Sequence, residues 1–186
     1  MKSLFAIFFV FIMIVSGCSN VVDDTKTEFK TVQQATLKSD IPLSDIFHTE
    51  EMDETAFSFY QSPNGYGVLH FSLKEDGWDY QGSSGFMYST DTDIKPFSFS
   101  QSAWHKGAVS IDNESSYTTI FFGEVSDPEI SKITVEYNNT QRDASLIKNN
   151  ERTYWYLVSE QDDGNERVGM VSAYSTEGKL LYQRGK

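Results

Sequence analysis

Cysteine is almost missing from this chain: Cys18 is the only one among 186 residues, so no intramolecular disulfide can form. Proline is scarce too, at four. There are three histidines, His48, His70 and His105, spaced 22 and 35 residues apart. Zinc sites bring ligands close together, as in a His pair at i and i+4 of a helix, so these three read as surface side chains and no metal is expected. His70 shares its alternating face with Val68 and Ser72, opposite Leu69, Phe71 and Leu73, which predicts a solvent-facing ring. Bases are outnumbered, with 15 Lys and Arg against 27 Asp and Glu. A net charge of −12 without a basic stripe argues against a nucleic-acid partner.

Catalytic and cofactor signatures are missing as well. Neither Gly-x-x-x-x-Gly-Lys nor Gly-x-Gly-x-x-Gly occurs, so no phosphate-cradling loop and no cofactor is expected. Gly82-Ser83-Ser84-Gly85 is not Gly-x-Ser-x-Gly and reads as a turn. The densest oxygen clusters, Asp162-Asp163-Gly164-Asn165-Glu166 and Asp91-Thr92-Asp93, lack the spacing of a calcium loop and fit turn chemistry. Asn113-Glu114-Ser115 and Asn138-Asn139-Thr140 match the glycosylation acceptor pattern but read as loop residues.

What the chain does have is aromatics: 14 Phe, 10 Tyr and 3 Trp, or 15% of its residues. Each buries roughly 150–250 Å², enough together for a sizeable core. Short runs of period two recur through the sequence, at 56–61, 67–73, 97–104, 117–122, 130–137, 152–159, 167–174 and 179–182. Turn signals separate them, among them Ser62-Pro63-Asn64-Gly65, Lys74-Glu75-Asp76-Gly77 and Asn138-Asn139. This pattern predicts an all-β fold, mainly an antiparallel sandwich or two packed β-sheets. In 130–137, Ile133, Val135 and Tyr137 are expected inside. The consecutive Tyr154-Trp155-Tyr156 places aromatics on both faces of one strand. Trp155 is assigned to the core, which leaves Tyr154 and Tyr156 as a possible contact face.

The first 17 residues have the form of a signal peptide: Lys2, a 12-residue apolar run at 4–15, then Ser16 and Gly17 before Cys18. The run is too short for a bilayer core that needs about 20 residues. Val15-Ser16-Gly17-Cys18 resembles the bacterial lipobox. That resemblance implies cleavage before Cys18 and attachment of acyl chains such as palmitate to it. Cleavage would leave 169 residues and, with Lys2 the only charge removed, a net charge of −13. Residues 18–37 are expected to be the lipidated cysteine and a polar tether, with a short amphipathic helix over 26–37 as the alternative; residues 38–186 are expected to form one β-rich domain.

The run from Phe47 onward is similar to a group of small lipoproteins of low-GC Gram-positive bacteria. The similarity is carried by Phe57-Ser58-Phe59-Tyr60, Gly77-Trp78, Phe122-Gly123 with Ile130 and Val135, Tyr154-Trp155-Tyr156, Ala173-Tyr174 and Glu177-Gly178-Lys179-Leu180. These are core and turn positions, so the resemblance implies a fold and a location but no active site. The expectation is a monomeric, non-enzymatic binding or regulatory module. It would sit on the outer face of the cell membrane, held through lipid on Cys18, with an envelope protein or polymer as partner. A carboxylate-based hydrolase of envelope polymer and a structural envelope or spore-layer component are the alternatives.

Overall fold

The computed structural model describes residues 29–88, 95–105, 117–162 and 168–185; Cys18, Asp91, Asp93, Asn113 and the turn at 163–166 lie outside them. A short helix, α1 (Val32–Thr36), precedes a single 3-10 turn, Leu43–Asp45, and a four-stranded meander. The meander is β1 (Ile46–Met52), β2 (Thr55–Ser62), β3 (Gly65–Lys74) and β4 (Gly77–Met87), paired in that order as a front sheet. Next come β5 (Ser100–His105), β6 (Tyr117–Val125), β7 (Lys132–Tyr137), β8 (Thr140–Asp143), β9 (Ser145–Asn149) and β10 (Arg152–Asp162). The last two are β11 (Val168–Tyr174) and β12 (Leu180–Arg184). A middle sheet has the order β5-β6-β10-β9, and a back sheet the order β12-β11-β7-β8. All strand pairs are antiparallel.

The fold is all-β as expected, but it is layered three deep. Phe57, Phe59, Tyr66 and Val68 of the front sheet pack on Ile120, Phe122, Tyr154 and Tyr156 of the middle sheet. On the other side of the middle sheet, Phe121 and Trp155 meet Ile133, Val135, Tyr137, Val171 and Ala173 of the back sheet. Having both faces covered is what makes adjacent apolar residues, Phe121-Phe122 and Tyr154-Trp155-Tyr156, compatible with one strand. β8 and β9 are nearly continuous, and the chain passes from the back sheet to the middle sheet at Ala144, whose N–H donates to Ile133 O.

Three expectations are corrected here. Residues 29–37 belong to the domain and not to a tether. Thr31 and Gln34 form a capping box, and α1 lays Val32 and Ala35 on Ala56, Leu69, Phe71 and Trp78 of the front sheet. Phe29 bridges Gly77 in parallel register. Gly82-Ser83-Ser84-Gly85 is the interior of β4, paired with Gly67–His70 of β3, and not a turn. His70 is 2% exposed, because its face of β3 is covered by the middle sheet.

Candidate functional site

The meander places its turns at alternate ends. The β2–β3 turn and the start of β1 lie at one end of the front sheet, and the β1–β2 and β3–β4 turns at the other. At the first of these ends the β9–β10 turn of the middle sheet comes alongside, and Asn149 Nδ2 donates to Gln61 Oε1 at 2.8 Å across the two layers. A cleft of about 440 Å³ opens there. Its walls include Asp45, Phe47, Gln61, Ser62, Asn149 and Asn150. Asn150 sits at φ 54°, the left-handed conformation that asparagine tolerates and a tight β9–β10 turn requires.

Behind the cleft is a polar aromatic cluster. Phe47 stacks on Tyr154, with centroids 4.8 Å apart. The Tyr154 and Tyr88 hydroxyls are 3.2 Å apart. The Arg152 guanidinium lies 4.2 Å above the Tyr88 ring and forms an ion pair with Glu124. Burial works against the charge on Arg152, but the hydrogen bond and charge of Glu124 outweigh it and raise its pKa. Burial also raises Tyr154, reinforced by the Tyr88 hydrogen bond. Tyr66 is pushed up to about 12, again chiefly by burial, while its hydroxyl meets Ser98 Oγ at 2.5 Å. These phenols stay neutral at physiological pH and act as hydrogen-bonding groups, not as bases.

A second cleft, of about 400 Å³, lies on the other side of Phe47 between β1 and α1, with Gln33, Thr36, His48 and Ser58 among its lining residues. His48 Nε2 is 3.5 Å from Glu50 Oε2, and the Tyr156 hydroxyl donates to that same oxygen at 3.0 Å. The two lie two residues apart on β1, and of the pair His48 lines the cleft while Glu50 does not.

The residues singled out from the sequence fall differently. Tyr154 is 2% and Tyr156 8% exposed, so the proposed contact face is interior: the front sheet covers it. Trp155 is 0% exposed and donates from Nε1 to Ser98 O at 3.0 Å. His105 is exposed and tilted on Tyr117 at 4.1 Å. His70 stacks between Phe57 and Trp104, at 5.1 and 4.7 Å, and its Nε2 meets Thr55 Oγ1 at 2.8 Å. Thr55 donates to Phe71 O, so its oxygen accepts from His70, which fixes a neutral ring protonated on Nε2. Among the described residues no group of three or more His, Cys, Asp and Glu side chains is placed to hold a metal ion. Sequence reasoning missed the cleft because its residues are individually ordinary. The Asn149-Asn150 pair, a turn signal between two apolar runs, was the one available hint. Comparison with protein families, with curated proteins and with solved structures finds no match to this chain.

Proposed function

We propose that the chain is a lipoprotein held on the outer face of the cell membrane through Cys18, and that its β domain binds an envelope component without transforming it. The anchor rests on the lipobox-like Val15-Ser16-Gly17-Cys18. The binding half rests on one observation: the larger cleft is walled by hydroxyl and amide groups and the single carboxylate of Asp45 around the Phe47 ring, and the nearby charge of Arg152 is already neutralised by Glu124. Neutral donors and acceptors with one carboxylate beside an aromatic edge suit a ligand rich in O–H or N–H donors and without negative charge, such as a glycan or a peptide backbone.

Cell fractionation tests the anchor: Cys18→Ala should leave the protein unprocessed and abolish lipid-dependent membrane retention. A processed variant that stays in the membrane would remove this reading. Titration with solubilised envelope polymer tests the cleft, and Asn149→Ala should weaken binding by about threefold to tenfold, the value of one or two hydrogen bonds. A hydrolytic reading is favoured by the approach of His48 to Glu50. Release of new polymer ends that stops in Glu50→Gln would replace binding with catalysis.

A further inference from the structure

We infer that the open edge of β1 is a docking site for an extended, basic peptide segment, which adds to the front sheet as a further strand. This deepens the binding reading above and rests on its clefts, not on the lipid anchor. β1 is the outermost strand of the front sheet, and among the described residues β2 is its one strand partner. The two clefts meet at this edge. Both are lined by Ile46 and Phe47, and together their walls take in every residue from Leu43 to Thr49. Successive residues of a strand point to opposite faces. His48 turns to the middle sheet, with its ring against Phe59 and Tyr156. Thr49 turns to the α1 side, where its Oγ1 lies 2.9 Å from the Oγ of Ser58, the partner of Leu69. The smaller cleft touches both residues, so it reaches round the free edge of the backbone and does not lie on one face alone. A groove along an unpaired strand edge suits an extended polypeptide. Main-chain hydrogen bonds supply affinity, and alternate side chains enter the recesses on either side.

Charge decides which strand fits. Edge strands are ordinarily shielded by lysine or proline, and Ile46–Met52 has neither. It carries Glu50 and Glu51 instead, with Asp45 just before it and Asp53 and Glu54 in the turn beyond. Glu50 accepts from the Tyr156 hydroxyl. Asp45 meets the Ser44 hydroxyl at 3.3 Å, and among the described residues no lysine or arginine forms an ion pair with Asp45 or Glu51. Like charges directly opposite destabilise a strand pair. This edge therefore rejects an acidic strand, a second copy of itself included, and selects lysine or arginine side chains. The net charge of −12 steers a cationic segment to the domain. The register shift between Ile46 and His48 ends regular pairing there. The added strand lies along 48–52, and the part of the peptide beyond it passes into the larger cleft, beside Asp45 and the amides of Gln61 and Asn149.

Titration of the full chain, purified in detergent, with a short end-blocked peptide of alternating lysine and valine tests this. Replacing the amides of that peptide by esters removes its N–H donors and keeps its extended shape, and should weaken binding at least about tenfold, the value of two or more hydrogen bonds. Asp45→Asn and Glu51→Gln should each weaken it about twofold to fivefold, as one partly exposed ion pair does. Glutamate in place of lysine in the peptide should abolish binding. Hydrogen exchange should slow in β1 when the peptide binds, and not in β12, the edge of the back sheet. Equal affinity of the ester analogue overturns strand addition, and equal affinity of the acidic peptide overturns the choice of a basic one. Slowed exchange at another edge, with β1 unchanged, overturns the location. A dimer of the free chain that the peptide dissociates gives the edge to a second copy and overturns the assigned occupant. If glycan strands freed of their peptides bind and the basic peptide does not, the binding reading stands and this inference falls; if neither binds, both fall.

Discussion

Trp155 carries the clearest consequence at the scale of single residues. It is 0% exposed, stacks with Phe99 at 6.1 Å and donates to Ser98 O. Directly across the β6–β10 pair is Gly123, where a Cβ would lie 2.0 Å from Ser98 O and 2.6 Å from Trp155 Nε1. The indole therefore needs a residue without a side chain opposite it. Trp155→Ala should cost about 3–5 kcal/mol in denaturant unfolding, from lost contacts and the cavity left behind. Gly123→Ala should also destabilise, because the added methyl meets backbone that cannot yield. A loss below about 1 kcal/mol in Trp155→Ala would show that the site collapses or is wet.

His70 gives a pH dependence of definite sign. Burial lowers its pKa from 6.5 to about 4, and the groups stacked on the ring, Phe57 and Trp104, carry no charge. Between those two pH values the unfolded chain binds a proton that the folded protein refuses. The contribution to stability is complete above pH 6.5 and is lost as pH falls toward 4. In sum it amounts to about 3 kcal/mol. The fall in unfolding free energy from pH 7 to pH 4.5 should shrink by about 2–3 kcal/mol in His70→Gln; an unchanged fall would assign the effect to other groups. The surface placement expected for this residue failed for a physical reason. Alternation tells which residues share a face of a strand, but not whether a second sheet lies over that face.

At the scale of elements, legibility followed the chemistry of each segment. Asn138-Asn139 read as a turn, and both residues have positive φ, 52° and 56°, as a two-residue hairpin requires. Ile133, Val135 and Tyr137 read as an inward face and are buried. β1 was hidden because His48, Thr49, Glu50 and Glu51 look like a polar connection, and an edge strand needs little more apolar content than Phe47. In β4 the glycines serve packing and not a turn: Gly85 faces Gly67, and a Cβ on either would meet the Tyr60 hydroxyl at 2.7 or 2.6 Å. The segment at 29–37 looked like tether because it is polar in sequence, although Val32 and Ala35 are fully buried. A chain beginning at residue 38 should therefore be less stable than one beginning at residue 29. The loss of two buried aliphatic contacts and the uncovering of Phe71 and Trp78 place the difference at about 2–4 kcal/mol. Equal denaturation midpoints would return the segment to the tether.

At the scale of the whole molecule, the middle sheet is the shared wall of two cores. Its consecutive aromatics placed large side chains on both faces of one strand, but whether and by which sheets those faces are covered depends on the crossover at Ala144 and on long-range pairing that no local pattern encodes. The three tryptophans are distributed so that the resulting cooperativity can be read directly. Trp78 belongs to the cluster under α1, Trp104 packs at the interface of the front and middle sheets, and Trp155 lies between the middle and back sheets. Residues of β6 and β10 contribute to both of the larger clusters, Phe121 and Trp155 on one side and Ile120, Phe122, Tyr154 and Tyr156 on the other. Melting the back sheet would uncover one face of the middle sheet and weaken the strands that hold the other, so the layers should unfold together. Three proteins, each retaining one tryptophan with the other two changed to Phe, should each show a single fluorescence transition whose midpoint coincides with its own far-ultraviolet circular dichroism. A Trp155 transition well ahead of the dichroism would mean that the back sheet leaves first, making the molecule a two-layer core with a detachable third layer.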